Sequence, residues 1–120
     1  MKAKLKFKGK ELEFSVKKVK GIKKFIGLMF NKKGKALLFE FKKETRQPIH
    51  SFFCPDFLAI WINKEGKIID YKFVVPNTPI IKPGKKFIKL IEIPINDENK
   101  EVIKIFIKDI KRKNLNTTQT

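Results

Sequence analysis

The sequence holds one histidine and one cysteine, and these two residues lie close together as His50 and Cys54. Both can ligate zinc, but a structural zinc ion needs about four protein ligands and a catalytic one about three, so carboxylates would have to complete the set. The pair also resembles a thiol–imidazole nucleophile, which needs hydrogen-bond contact between the two groups. In a strand, residues four apart lie about 13 Å from each other. The sequence therefore favours a partly buried histidine beside a buried thiol.

Other signatures of catalysis are missing from the sequence. The carboxylates of Glu40, Asp56, Asp70 and Glu92 are scattered, and nothing in their spacing brings two of them together for acid–base chemistry. The glycines are isolated turn residues and form no phosphate-binding loop. We therefore expect no catalytic residue, no metal ion and no cofactor. An enzyme of unknown reaction that uses the histidine–cysteine pair stays open as an alternative.

The formal net charge of +17 suggests an anionic partner such as nucleic acid, because basic side chains neutralise phosphates. However, Arg46 and Arg112 are the only arginines among 29 basic residues. Base readout and bidentate phosphate contacts depend mainly on arginine. Lysine, isoleucine, phenylalanine and asparagine are also the residues that an AT-rich genome favours. Two explanations of the charge therefore stay open, which are codon bias and an anionic partner.

Length and composition predict a single domain. A chain of 120 residues, 42% of them hydrophobic, can bury one core. Its apolar runs are too short to span a bilayer, and the first residues lack the continuous apolar stretch of a secretory signal. A single cysteine fits a reducing compartment. We therefore expect a soluble cytoplasmic domain over residues 1–113 and a flexible tail over 114–120, with no membrane span and no indication of the oligomeric state.

The N-terminal residues predict a β-hairpin. Four lysines alternate with apolar residues over positions 2–8, which is the pattern of a half-buried strand. Gly9 supplies the turn, and the following residues alternate in the same way with Glu11 and Glu13 facing the lysines. The lysine face should be exposed, and it is the candidate surface for nucleic-acid contact. Its lysines are Lys2, Lys4, Lys6 and Lys8.

The rest of the sequence completes a mainly β fold. Strands are predicted over residues 35–41, 57–63, 67–75 and 86–93, with a short helix over 20–27. Residues 97–110 fit both a helix and a strand, and their isoleucines favour a turn of helix over 97–103 followed by a strand. We predict a single compact antiparallel sheet, curled into a small barrel or sandwich, with one or two short helices. An α+β fold is the alternative.

Four stretches of the sequence resemble, in order, the UPF0127 family, which is also called domain of unknown function 192 (DUF192). They are Gly27–Phe30, Ala36–Phe41, His50–Ile69 and Pro83–Pro94. The most specific elements are the Gly-Leu-Met-Phe sequence, followed by a Leu-Phe strand, and the His-Ser-Phe-Phe sequence. The resemblance implies a compact β-rich fold of this length and no established activity, substrate or cofactor.

The leading functional hypothesis is a non-catalytic binding or accessory module. Its ligand is expected at the surface where the family-like motifs converge, which comprises Met29, Phe30, His50, Phe53 and Cys54. Weak, sequence-independent nucleic-acid binding by the lysine face of the N-terminal hairpin is the first alternative.

Overall fold

The computed structural model describes residues 1–19 and 34–118, with side chains to residue 114. Within these residues, six strands form one sheet with the order β1-β2-β3-β6-β4-β5. A 3₁₀ turn, Asp97–Asn99, leads into helix α1, Lys100–Thr118. The strands are β1 (Lys2–Phe7), β2 (Lys10–Val19), β3 (Ala36–Thr45), β4 (Phe57–Ile62), β5 (Ile68–Val74) and β6 (Phe87–Pro94). The sheet curls into a half-barrel, so the predicted mainly β fold is confirmed.

The pairing is antiparallel everywhere in this sheet except between β2 and β3. There, Val16 to Val19 run parallel to Ala36 to Phe39. The prediction of an antiparallel sheet is therefore corrected at this pair. The linking residues 20–35 are numerous enough for the crossover that parallel strands need, which takes about a dozen residues. The short helix predicted over 20–27 lies outside the described residues.

The predicted N-terminal hairpin is confirmed. Lys4 pairs with Glu13 and Lys6 with Glu11, and all four lysines of the predicted face are exposed. Lys2 Nζ lies 3.6 Å from the Glu13 carboxylate. Of the apolar residues between the lysines, Leu5 and Phe7 are buried and Ala3 is half-buried.

The centre of the sheet is buried on both faces, which explains why β4 is a continuous apolar run. We call the face covered by α1 the helix face and the opposite one the loop face. The helix face includes Leu58, Ile60, Ile91, Ile93, Val102, Ile103 and Phe106. The loop face includes Leu37, Phe39, Cys54, Phe57, Ala59, Trp61, Ile81, Phe87 and Leu90.

The strand predicted after residue 103 is wrong, because α1 continues through this segment. The side chains of Val102, Ile103 and Phe106 follow helical spacing and are buried, and the Phe106 ring stacks on Phe7 at 4.5 Å between centroids. The helix also extends past residue 113, where the sequence placed the end of the domain. No helix in the described part of the chain is long and apolar enough to cross a membrane.

Asp109 of α1 joins the two edges of the sheet. Its carboxylate, 4% exposed, accepts hydrogen bonds from Lys8 Nζ beside β1 and from Tyr71 Oη in β5, and it lies 3.4 Å from Lys113 Nζ. Burial alone would raise the pKa of Asp109, but these donors hold it at about 2. Since β1 and β5 are the outer strands of the sheet, these contacts close the open side of the half-barrel over α1.

Candidate functional site

The segment from His50 to Cys54 is a folded loop. The Phe52 amide donates to His50 Nδ1 at 3.1 Å, and the Cys54 amide donates to the Ser51 carbonyl at 3.1 Å. The Cys54 thiol is buried and points to the Phe52 carbonyl, with Sγ 3.5 Å from the oxygen. Each group is therefore engaged with its own loop. This geometry matches the expected partly buried histidine and buried thiol.

Ser51 ties this loop to a second loop over residues 75–80. Its buried hydroxyl donates to the Val75 carbonyl at 2.6 Å and accepts from the Thr78 amide at 2.7 Å. Its backbone carbonyl accepts from the Asn77 amide at 2.9 Å. Just beyond these contacts, Ile49 and Ile81 form an isolated antiparallel bridge. The two loops therefore form one hydrogen-bonded unit.

Two residues of this unit have left-handed backbone conformations, Phe53 at φ 58° and Asn77 at φ 59°. The Phe53 amide donates to Asn77 Oδ1 at 3.2 Å. Asparagine tolerates this region, but a bulky aromatic residue rarely adopts it. Such strain persists only where the surrounding contacts enforce it, and it is concentrated at functional sites.

The same two loops expose a group of large apolar side chains, which we call the loop patch. It consists of Phe52, Phe53, Val75 and Ile80. The side chains of Phe53 and Ile80 are 62% and 66% exposed. Exposed apolar side chains that cluster on loops of a rigid scaffold are typical of binding surfaces.

Glu92 lies on the loop face of the sheet, in the middle of β6. Its cross-strand neighbours are Leu37 in β3 and Ala59 in β4, and the residue is 5% exposed. No described residue forms an ion pair or a hydrogen bond with its carboxylate. Burial raises the pKa of Glu92 to about 8. Burial and the nearby Glu92 charge raise the pKa of the Cys54 thiol to about 11, so the thiol is protonated at neutral pH and is a poor nucleophile.

Trp61 provides a second unpaired polar group on the loop face. Its side chain is fully buried, and its indole N–H has no acceptor among the described residues. Trp61 pairs with Leu90 on β6, two residues from Glu92 on the same side of the strand. An unpaired buried donor and a buried acidic residue therefore lie on one face, and leaving the indole N–H unsatisfied is costly.

A separate cleft of about 370 Å³ lies between β2 and the start of α1. Four exposed glutamates line it above an apolar floor that includes Leu12 and Val102. They are Glu11, Glu13, Glu98 and Glu101. None of the residues predicted to bind a ligand lines this cleft, and its charged groups are in contact with water. The buried polar side chain in its lining, Asn99, donates to the Pro94 carbonyl, so the cleft offers mainly the exposed negative charge of the glutamates.

The structure places three of the five predicted binding residues, His50, Phe53 and Cys54, on one loop. Met29 and Phe30 lie outside the described residues. Over residues 1–19 and 34–118, no three histidine, cysteine or acidic side chains are arranged to hold a metal ion. Sequence reasoning did not assign Glu92 to the site, although an acidic residue inside the apolar run of β6 was a usable signal.

A comparison with curated proteins bears on the family resemblance. The UPF0127 protein PF1050 of Pyrococcus furiosus is 29% identical over 103 residues, which cover 75% of this chain and 89% of that protein. The chain resembles the UPF0127 family. No protein-family model matches it. The resemblance found in the sequence motifs is thus supported by a UPF0127 protein over most of both chains.

Two solved structures share the fold of this UPF0127-like chain. A protein of unknown function from Novosphingobium aromaticivorans has a TM-score of 0.69 at 11% identity, covering 78% of this chain and 71% of that one. A putative transcription regulator from Sinorhizobium meliloti has a TM-score of 0.68 at 17% identity, covering 82% of this chain and 81% of that one. At these identities the likeness shows the fold alone.

Proposed function

We propose that this protein is a non-catalytic binding module whose ligand contacts the loop patch and the loop from His50 to Cys54. The observation that carries the proposal is that four large apolar side chains are held in solvent by two loops that Ser51 fixes to each other. A loop unit so constrained loses little conformational entropy when a ligand binds. The left-handed backbone of Phe53 supports the same conclusion, because a strained conformation is retained where function needs it.

The chemistry of the same loop favours binding over catalysis. The Cys54 thiol is protonated at neutral pH and directed at a backbone carbonyl. His50 Nδ1 accepts a hydrogen bond from the Phe52 amide, so it is not directed at the thiol. An activated thiol needs a base within hydrogen-bond reach and a lowered pKa. We also propose a cytoplasmic location, which the free Cys54 thiol supports.

The binding proposal is tested with the neutral fluorescent probe N-phenyl-1-naphthylamine, because a neutral probe is not attracted by the net charge. We expect saturable fluorescence enhancement with the intact chain. Phe53→Gly and Ile80→Thr should each weaken probe binding about tenfold, since each removes a large apolar contact. Ile95→Thr is the matched control, because Ile95 is also an exposed isoleucine but lies outside the loop patch. Equal affinity in all four proteins, or no saturable binding, would contradict the proposal.

A second candidate function is weak, sequence-independent nucleic-acid binding by the N-terminal hairpin. Three exposed lysines in one row on β1, Lys2, Lys4 and Lys6, favour it. The fourth lysine of the predicted face, Lys8, lies in the turn after β1 and its ammonium group contacts Asp109. Glu11 and Glu13 pair with two lysines of the row and reduce the local positive charge, so the expected affinity is low. The structural neighbour described as a putative transcription regulator fits this candidate, although it shares only the fold at 17% identity.

A further inference from the structure

The side chains of the loop patch project into solvent. Phe53, Val75 and Ile80 are 62%, 65% and 66% exposed, and Phe52 is 41% exposed. A side chain that lines a groove is shielded by the opposite wall, so exposed fractions of this size indicate a convex surface. A fluid apolar phase covers a convex apolar surface of any shape, whereas a protein partner needs a complementary one.

The two loops that carry the patch are held in place by backbone hydrogen bonds. Ile49 and Ile81 exchange two such bonds of 2.9 Å each, and the Ser51 amide donates to the Thr78 carbonyl at 2.9 Å. These contacts fix the height at which the apolar side chains leave the surface. The side chains can therefore enter an apolar phase together, and the loops need not be ordered first.

The segments that contain these two loops are basic. Residues 46–55 and 71–86 hold five basic residues and no aspartate or glutamate. The basic residues are Arg46, Lys72, Lys82, Lys85 and Lys86, and all five are exposed. Asp56 and Asp70 border the segments, and the Asp70 carboxylate accepts hydrogen bonds from the amides of Tyr71 and Gly84. The loop patch is therefore flanked by positive charge.

Resting on the binding function proposed above, we propose that the loop patch inserts into an anionic lipid bilayer, with the flanking basic residues on the lipid headgroups. Apolar side chains are stabilised when they leave water at the boundary between headgroups and acyl chains. Lysine and arginine are attracted by the negative surface potential of an anionic leaflet. The cytoplasmic leaflet has this potential, so the inference agrees with the cytoplasmic location proposed above.

Two other occupants of the loop patch fit less well. A second copy of this chain would bring two surfaces of the same positive charge together, which is unfavourable. An acidic protein would satisfy the charge, but it would also need a concave surface that matches side chains projecting from two loops. A bilayer supplies the negative charge and the apolar phase without such a match.

Co-sedimentation of the full chain with lipid vesicles tests the proposal. We expect binding to vesicles of phosphatidylcholine mixed with phosphatidylglycerol, and at least about tenfold weaker binding to phosphatidylcholine alone. Lys82→Gln should weaken binding to the mixed vesicles about fivefold, and Lys111→Gln, on α1, should weaken it less. Ile80→Thr should also weaken it about fivefold. Ile107→Thr is the matched control, because Ile107 is an exposed isoleucine of α1, which covers the other face of the sheet.

Tryptophan reporters separate insertion from attraction at the surface. The net charge of +17 attracts the chain to anionic vesicles even without a loop patch. In Ile80→Trp, brominated lipids should quench the new fluorescence and its emission should shift to the blue, whereas Ile107→Trp should show neither effect. Trp61 is fully buried and gives the same background in both variants.

The outcomes separate this inference from the proposed binding function. Equal vesicle affinity of Ile80→Thr and the wild type, or no quenching in Ile80→Trp, overturns the membrane inference. If N-phenyl-1-naphthylamine still binds the loop patch in that case, the binding module stands and its ligand is a protein or a small molecule. If this probe also fails to bind, the binding function itself is wrong.

Discussion

The ring of Phe53 is exposed while its backbone lies in the left-handed region, a conformation that costs an L-residue about 1–2 kcal/mol. Glycine adopts this conformation without steric cost but loses about 0.5–1 kcal/mol more chain entropy on folding. We therefore expect Phe53→Gly to raise the free energy of unfolding by up to about 1 kcal/mol, measured by urea denaturation. A gain in stability with a loss of probe binding would mean that the strain is retained for binding.

Phe53→Ala is the control, because it removes the ring and keeps the strain. It should gain no stability. If the alanine variant were as stable as the glycine variant, the ring and not the backbone would be the source of the effect.

The buried carboxyl of Glu92 makes the stability of the protein depend on pH between about 4.5 and 8. The shifted pKa values of Asp109 and Cys54 lie outside this range. Its pKa is raised from 4.5 to about 8, so between these values the folded protein holds a proton that the unfolded chain has released. The contribution of Glu92 to the free energy of unfolding is therefore highest below about pH 4.5 and falls as the pH rises to 8. We expect a loss on the order of a few kcal/mol over this range, measured by urea unfolding from pH 5 to pH 8.

Glu92→Gln removes this titration and should flatten the pH profile, whereas Glu98→Gln should keep the slope of the wild type. The shifted pKa values of Asp109, at about 2, and of Cys54, at about 11, lie outside the measured window. Parallel profiles for the wild type and Glu92→Gln would contradict the assignment.

Among the secondary-structure elements, those with an unambiguous local period were predictable from the sequence. The β1–β2 hairpin follows from strict alternation around Gly9, and its register places Glu11 and Glu13 opposite lysines as expected. Helix α1 was predicted only at its start, because Ile103, Ile105 and Ile107 alternate like a strand although the same segment also fits helical spacing. Contacts with distant residues decide its conformation, above all the stacking of Phe106 on Phe7.

The candidate site was predictable in part. Its loop was found because the sequence has a single histidine and a single cysteine, four residues apart. The position of Glu92 depends on β6 lying between β3 and β4, which are not its neighbours in the sequence. The hydrogen bonds from Ser51 to the loop over 75–80 likewise join residues distant in sequence. The burial of Glu92 and the contacts of Ser51 therefore depend on strand order and on pairing between distant residues, which sequence patterns did not reveal.

Asp109 is the residue through which α1 closes the half-barrel. Its carboxylate accepts hydrogen bonds from Lys8 and Tyr71, so its loss removes the contacts of this side chain at both edges of the sheet at once. We expect Asp109→Ala to lower the free energy of unfolding by about 1–3 kcal/mol. The lower part of this range is expected because the lysine partners are half-exposed and screened by water. Thermal and urea unfolding measure the loss.

Hydrogen exchange distinguishes a closing role from a general loss of stability. The amides of α1 and β5 should lose protection in Asp109→Ala before those of β4 and β6 do. Glu65→Ala, in an exposed turn between β4 and β5, is the control and should leave both measurements unchanged. Uniform loss of protection over the whole sheet would contradict the proposed closing contact.

In the molecule as a whole, the two faces of the sheet contribute differently to stability. The helix face holds α1 through the packing of Phe106 and the contacts of Asp109. The loop face instead carries the buried carboxyl group of Glu92 and the strained loop at Phe53, both of which reduce stability. The contacts of α1 on the helix face therefore offset the destabilising effect of Glu92 and Phe53 on the loop face. Substitution of Glu92 or Phe53 should leave the fold intact for this reason.

The net charge of +17 attracts any polyanion, and the open question is whether the lysine row of β1 forms a distinct interface. For duplex DNA, the logarithm of the binding constant falls with the logarithm of the salt concentration, with a slope of about −0.9 for each neutralised phosphate. If β1 contacts DNA, Lys4→Gln and Lys6→Gln should each reduce the magnitude of this slope by about 0.9 in a fluorescence-anisotropy titration. Lys111→Gln, an exposed lysine of α1, should change it less. Equal reductions in all three variants would show that the charge acts as a diffuse surface property, and the absence of binding at about 50 mM salt would exclude nucleic-acid binding as the function of the hairpin.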